Sequence, residues 1–274
     1  MSRKIAVIQF PGSNCERETV HAIQAIGGTA EIIRWNTSYP IFKSFDAYVL
    51  PGGFSYQDRI RAGVIASKLP IMEFLLEASK ERKPILGICN GCQILAESGL
   101  VPNISGNNKI EMALDHNECN EEKIGFICDW QHVQIKNPKQ CLFTQEFEEN
   151  LVIPIPINHG EGKFIFKATD LEALSNHTLL QYVSNETNTE TSNTAFPVNP
   201  NASQWNIAGI SNAQGNVFAL MPHPERAYLL KQIPESLEGN WATKKRESTS
   251  LKDLGPWAPL FSSVWKALIK ESVK

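Results

Sequence analysis

Cys89 lies between two glycines in the stretch Gly87-Ile88-Cys89-Asn90-Gly91. Upstream, Pro84 to Leu86 form a short apolar run that reads as a buried strand; downstream, Ile94, Leu95 and Ala96 begin a helical pattern. A thiol on a glycine-flanked strand-to-helix turn has the composition of a nucleophile elbow, with cysteine where Gly-x-Ser-x-Gly hydrolases carry serine. Glycine permits so tight a turn because it has no Cβ to clash. The helix that follows aims its unpaired N–H groups and the positive end of its dipole at the sulfur, a place where negative charge is stabilised. Cys89 is therefore the candidate nucleophile. Free cysteine otherwise packs as a small hydrophobe, and Cys92, one helical turn on, reads that way.

A nucleophile of this kind needs a base within reach and a group that orients the base. The chain has six histidines. His223, in Met221-Pro222-His223-Pro224-Glu225-Arg226, directly follows an apolar run, and the prolines on either side stiffen its loop. Glu225, two residues on in an extended segment, points to the same side and can accept from the imidazole. His159 competes with His223. It sits in Asn158-His159-Gly160-Glu161-Gly162, where a glycine-stabilised turn explains it about as well as catalysis does. His21, His116, His132 and His177 lack such punctuation and read as structural. An oxyanion needs preorganised N–H donors. Gly53, closing Pro51-Gly52-Gly53, and Asn90, directly after the thiol, are the natural backbone pair.

These residues fall at the ends of apolar runs that must be strands. Lys4 to Phe10, Thr29 to Trp35, Phe45 to Leu50 and Pro84 to Leu86 alternate with helical patterns, which argues for a parallel sheet covered by helices. Ligands then sit outside the carboxyl ends of the strands, where both glycine-rich turns lie. Ser13 or Asn14 is positioned to cap the first helix, and a helix is expected over residues 62–80. Residues 107–123 read as irregular. Phe126 to Ile135, Leu151 to Ile157 and Phe164 to Ala168 read as further strands, the first with antiparallel alternation. Trp205 to Ile210 and Val217 to Met221 read as a hairpin turning at Gly215-Asn216. The expected fold is α/β, a flavodoxin-like three-layer sandwich with a largely parallel central sheet and antiparallel additions in the C-terminal half. Residues 1–274 are read as a single domain. It carries a polar excursion near 184–204 and a C-terminal extension over 240–274. Within the extension, 240–259 read as a polar connection and Leu260 to Val273 as an amphipathic helix.

Of 274 residues, 42% are hydrophobic and 20% charged, an ordinary globular balance. A net charge of −3 leaves no basic footprint for nucleic acid. No apolar stretch approaches the roughly 18–20 residues that span a membrane, and the start reads as a first strand rather than a signal peptide. Six scattered cysteines are no disulfide framework, which fits a reducing, cytoplasmic setting. Cys89-x-x-Cys92 has redox spacing, but thioredoxin-type motifs lack the glycine two residues before the first cysteine. Without a second such pair or clustered histidines, no metal site is expected.

At this point the chain resembles the class I, triad-type glutamine amidotransferases. Gly87-Ile88-Cys89-Asn90-Gly91-Cys92-Gln93 is similar to their elbow, Pro51-Gly52-Gly53 to their oxyanion strand and Pro222-His223-Pro224-Glu225 to their His-x-Glu, in the family's order. Within that family it is similar to the glutaminase subunits of phosphoribosylformylglycinamidine synthases. Phe10-Pro11-Gly12-Ser13-Asn14-Cys15, Gly53-Phe54-Ser55-Tyr56 and His159-Gly160-Glu161-Gly162 carry that narrower likeness, with Asn199-Pro200-Asn201 and Asn206 to Ile210. It runs from about residue 4 to residue 230, with departures at Gln57, Asp129 and Ala202. The resemblance implies hydrolysis of glutamine to glutamate and ammonia by a Cys89-His223-Glu225 triad, with Gln93 seating the substrate. It implies no cofactor for that step. Ammonia would pass to a separate large synthetase subunit of de novo purine synthesis that uses ATP and magnesium, with a small accessory subunit. An amidotransferase serving another acceptor, a related cysteine peptidase or deglycase, and a catalytically silent assembly subunit are the alternatives.

Overall fold

The computed structural model describes residues 3–166, 171–185 and 195–271. Short, continuously apolar segments can be satisfied only where both faces of a strand are covered, and the first half of the chain is built that way. It runs β1 (Ile5–Gln9), α1 (Glu16–Ala25), β2 (Ala30–Arg34), α2 (Tyr39–Lys43), β3 (Ala47–Leu50), α3 (Ile71–Lys80), β4 (Ile85–Ile88) and α4 (Asn90–Glu97). Every residue of β3 and β4 is buried. The second half is rich in strands: β5 (Met112–Asp115), β6 (Glu118–Cys119), β7 (Glu122–Lys123), β8 (Ile127–Ile135), β9 (Val152–His159) and β10 (Lys163–Phe166). Then come α5 (Leu171–His177), β11 (Thr178–Val183), β12 (Ile207–Ser211), β13 (Val217–Leu220), α6 (Asn240–Glu247) and α7 (Ala258–Glu271).

Among the described residues, nine strands form one sheet in the order β2-β1-β3-β4-β13-β12-β11-β8-β9. The five from β2 to β13 are parallel, in the strand order of flavodoxin-like sheets, and the rest add on antiparallel. The expected mixed architecture is therefore present. Because β4 and β13 are parallel neighbours, their carboxyl ends lie side by side, with Leu220 opposite Ile88. Residues 89 and 223 are brought to one sheet edge by this register alone.

Several expectations differ in detail. Cys15, not Ser13 or Asn14, is the N-cap of α1, and the Ser13 hydroxyl instead accepts from the Phe10 N–H. The helix expected from residue 62 starts at Ile71, preceded by a single tight turn at Ala66–Lys68, since Pro70 suits a first helical turn better than an interior. The stretch 107–123 is not wholly irregular, because β5 pairs with β10. Of the strand expected to Ala168, the described part is β10, and 167 and 168 lie outside the described residues. Of the polar excursion, 186–194 lie outside the described residues, whereas Asn199 and Asn201 are buried and hydrogen-bonded. The expected connection after residue 240 contains α6. In α7, Leu260, Phe261, Val264 and Leu268 are buried as the amphipathic pattern requires, but Ile269 is exposed. Buried Trp257 donates from Nε1 to the Pro154 carbonyl at 2.8 Å, tying the C-terminal segment to β9.

Candidate active site

Cys89 follows β4 immediately and caps α4 with φ 50° and ψ −105°. A non-glycine residue held there costs on the order of 1–3 kcal/mol and persists only where its surroundings enforce it. The enforcement is visible. The Cys89 N–H donates to the Leu220 carbonyl of β13 at 2.8 Å, and its carbonyl accepts the first bond of α4 from Gln93 N–H at 3.1 Å. A Cβ on Gly91 would stand 1.9 Å from the Leu50 carbonyl oxygen, and one on Gly87 would stand 2.7 Å from that of Gly91. The two glycines let α4 press onto β3 and β4, which leaves the cysteine no relaxed alternative. Its sulfur lies 3.7 Å from the Asn158 carbonyl at the end of β9.

His223 is held from the opposite side. Its N–H donates to the Pro156 carbonyl at 2.9 Å, and Pro224 opens the tight turn that carries Glu225 back under the ring. Nδ1 lies 2.6 Å from Glu225 Oε1, with both side chains buried. Burial pulls the imidazole pKa down, but the Glu225 carboxylate, Cys89 and Cys15 outweigh it, and the net value stands well above the ordinary one. His223 Nε2 has no hydrogen-bond partner among the described residues.

The other sequence candidates gather around this pair. Gly53, Cys89, Gln93 and His223 line one cavity of about 110 Å³, room for several waters and so for a small polar molecule. Gly53, at φ 149°, lies opposite Ser13 in a short antiparallel bridge that a Cβ would break, since it would stand 2.6 Å from Ser13 Cα. The Asn90 N–H is in the first turn of α4, where intrahelical acceptors are lacking. The Asn90 side chain is a strut: Oδ1 accepts from Ser55 N–H at 3.1 Å, and Nδ2 donates to Gln93 Oε1 at 2.9 Å and Asp58 Oδ1 at 3.2 Å. Gln93 Nε2 in turn donates to the Glu161 carbonyl at 2.7 Å.

Sequence reading passed over three groups here. Cys15 is beside His223, and Arg226 Nη2 donates to its sulfur at 3.2 Å. Its thiol pKa is raised, chiefly by burial. The close Pro11-Gly12-Ser13-Asn14 turn after β1 was the only signal for that placement. Asp58 and Glu161 line the cavity from separate loops. Cys92 is fully buried, and burial drives its pKa far upward. His159 is buried too, and burial with neighbouring His223 pulls it down to about 3, which leaves it neutral.

A strained cysteine at a helix start beside a buried His–Glu pair suits acyl transfer. Residues 2–266 match the family described as CobB/CobQ-like glutamine amidotransferase domain. The chain is 41% identical over 278 residues, 98% of each chain, to phosphoribosylformylglycinamidine synthase subunit PurQ of Methanothrix thermoacetophila. The chain belongs to this family. PurQ of Pyrococcus furiosus is 41% identical over 224 residues, 82% of this chain and 89% of its own. The structure of PurLQS from Thermotoga maritima contains a chain that is 30% identical with a TM-score of 0.71, covering 98% of this chain and all of that one. The chain is thus a glutamine amidotransferase of the PurQ family, and its role lies in purine biosynthesis. Among the described residues, no helix is long and apolar enough to cross a membrane.

Proposed function

We propose that this PurQ-family chain hydrolyses the side-chain amide of glutamine through Cys89, His223 and Glu225. The Cys89 thiol gives its proton to His223 Nε2 as the sulfur attacks the amide carbon, and the oxyanion is taken by the Gly53 and Asn90 N–H groups. His223, holding a proton at Nε2, passes it to the departing nitrogen, so ammonia leaves and a thioester remains on the sulfur. A water molecule gives its proton back to His223 and attacks the thioester carbon, releasing glutamate and restoring the thiol. Glu225 holds the Nδ1 proton throughout, which fixes the ring and keeps Nε2 facing the reaction. Gln93 seats the substrate through its links to Asn90 and the Glu161 carbonyl. The step needs no cofactor.

The observation that carries this reading is the 2.6 Å contact between buried His223 and Glu225, formed at the sheet edge where Cys89 is strained. The names of the relatives support the continuation. Ammonia goes to a separate, ATP- and magnesium-dependent synthetase subunit, with a small accessory subunit in the same cytoplasmic complex. Exposed Phe54 and Phe126 pack on each other at the cavity rim, their ring centres 6.1 Å apart, and offer that partner an apolar contact. The test is glutamate release by the chain alone and by the chain with synthetase, ATP and formylglycinamide substrate. Turnover is expected to rise on assembly. Equal turnover in both would remove the coupling, and no release in either would remove the glutaminase.

A further inference from the structure

The fold brings together three metal-ligating side chains that the sequence keeps far apart. The Cys15 sulfur, an imidazole nitrogen of His223 and a carboxylate oxygen of Glu225 all lie within 4.8 Å of one another, and all three residues are buried. Among the described residues no other such group forms, and Cys89 does not belong to this one. The nitrogen that faces the carboxylate is Nδ1, 2.6 Å from Glu225 Oε1. Glu225 Oε2 is buried with no hydrogen-bond partner among the described residues, so the carboxylate has lone pairs to give. Cys15 caps α1 beside Gly52, where an added Cβ would stand 3.1 Å from the sulfur and 2.7 Å from His223 Cε1. Cys15 and His223 both line the cavity, which gives a small ion a way in.

One sulfur, one imidazole and one carboxylate suit zinc and similar transition metals, not magnesium, which asks for oxygen. Ligand atoms about 2.0–2.3 Å from a tetrahedral zinc stand roughly 3.3–3.6 Å from one another. Small side-chain shifts therefore seat the ion. Burial raises the Cys15 thiol pKa, but a coordinating metal deprotonates a thiol outright. The exchange balances, because the Cys15 S–H proton and the His223 Nδ1 proton leave to water as one dication enters. Net charge in the buried pocket is unchanged, so the ion adds no unpaired charge to the interior. Arg226 Nη2 donates to the same sulfur at 3.2 Å, and Glu18 Oε2 lies 3.5 Å from that nitrogen and offsets its charge. The guanidinium then serves as a donor to the bound thiolate, the kind of outer partner that metal ligands keep.

We propose that Cys15, His223 Nδ1 and Glu225 form an inhibitory site for zinc, which switches the glutaminase off by taking two members of its triad. With the metal on Nδ1, the carboxylate no longer holds a proton there. The ring's one remaining hydrogen then sits on Nε2. That nitrogen cannot accept the Cys89 proton, and the thiol is not activated. Binding stands on the geometry alone, whereas the inhibition rests on the glutaminase reading.

Cobalt(II) is the spectroscopic probe, because a thiolate ligand gives it a charge-transfer band in the near ultraviolet. One equivalent added to the Cys89→Ser chain should produce this band, and Cys15→Ser in that background should remove it. Calorimetric titration with zinc should show the same pair differing about 100-fold or more, since outer partners alone are worth about 10- to 100-fold. Serine caps a helix well, so the fold should survive at position 15, as a melting curve will report. Glu225→Gln is the second variant, with a loss of zinc affinity in the same direction. In the parent enzyme, isolated with its bound chains, Zn2+ should suppress glutamate release and a chelator restore it, while Mg2+ should not suppress it. The Cys15→Ser enzyme, scaled to its own metal-free rate, should need about 100-fold more zinc. No cobalt band, a band that survives Cys15→Ser, or equal zinc inhibition of the two enzymes would overturn the assignment. A parent enzyme that releases no glutamate without metal would instead sink the glutaminase reading, and the cobalt band would still decide the site.

Discussion

His223 Nδ1 and Glu225 Oε1 stand 2.6 Å apart with almost no solvent at either side chain. Each charge is therefore tolerable only because of the other. Removing one partner of a buried pair costs about 3–5 kcal/mol, so Glu225→Ala should lose roughly that much stability in urea unfolding, and Glu225→Gln less. The pair also gives a pH dependence of known sign. His223 has a raised folded pKa, so its stabilisation is fully present below the ordinary value of 6.5 and is lost as pH rises through the folded one. The wild-type advantage over Glu225→Gln in melting temperature should shrink as pH climbs above 6.5. His159, neutral in both proteins, cancels in the comparison. Parallel curves would contradict the ion pair.

The two buried histidines should separate kinetically. Loss of a base from an interdependent unit typically lowers turnover by several orders of magnitude, the outcome expected for His223→Ala. His159→Gln should leave kcat within a few-fold. Steady-state glutamate release distinguishes them, and the reverse pattern would exchange their roles.

Gly91→Ala tests the elbow. The added Cβ would stand 1.9 Å from backbone oxygen at Leu50, which cannot swing aside, so α4 must lift from β3. Overpacking of this kind costs about 1–3 kcal/mol or more. Gly125→Ala, where a Cβ meets nothing within 4 Å, should change stability by less than about 0.5 kcal/mol. Equal effects of the two in urea titration would mean the close approach is not what holds Cys89 in its strained geometry.

Asn90→Ala removes the strut between α4 and the Phe54–Asp58 loop, leaving the Ser55 N–H without its acceptor. The expected cost is about 1–3 kcal/mol in stability. Activity should fall further than labelling of Cys89 by a small electrophile, because the loop that carries Gly53 shifts while the thiol stays. A parallel loss of both would place the damage at the elbow itself.

Much of this arrangement was legible in the chain because it is local. The Gly87-to-Gly91 turn and the Pro222-to-Glu225 turn are each written in a few consecutive residues, and parallel pairing of β4 with β13 then brings them together. What the sequence did not disclose depends on contacts far apart along the chain. Cys15 reaches His223 only because the turn after β1 folds over Gly52, whose carbonyl accepts from both Asn14 and Cys15 N–H groups at 3.2 Å. The burial of His159 depends on Asn117, 42 residues earlier in a stretch that reads as irregular. Asn199 and Asn201 looked like solvent-facing polar chain. They are buried because their amides meet Asn206 and the Gly162 carbonyl, partners that composition cannot announce. The helix α6 lacks an apolar stripe, with only Ala242 buried, so periodicity gave no sign of it.

The central claim is that one thiol of six performs the chemistry. It is tested most directly by treating the chain with 6-diazo-5-oxo-L-norleucine, a glutamine-shaped electrophile, and mapping the modified peptides by mass spectrometry. The predicted result is a single adduct on Cys89, prevented by excess glutamine and absent from Cys89→Ser, while Cys92→Ser is labelled like the parent. An adduct on Cys15 or Cys92 with Cys89 untouched would contradict the account.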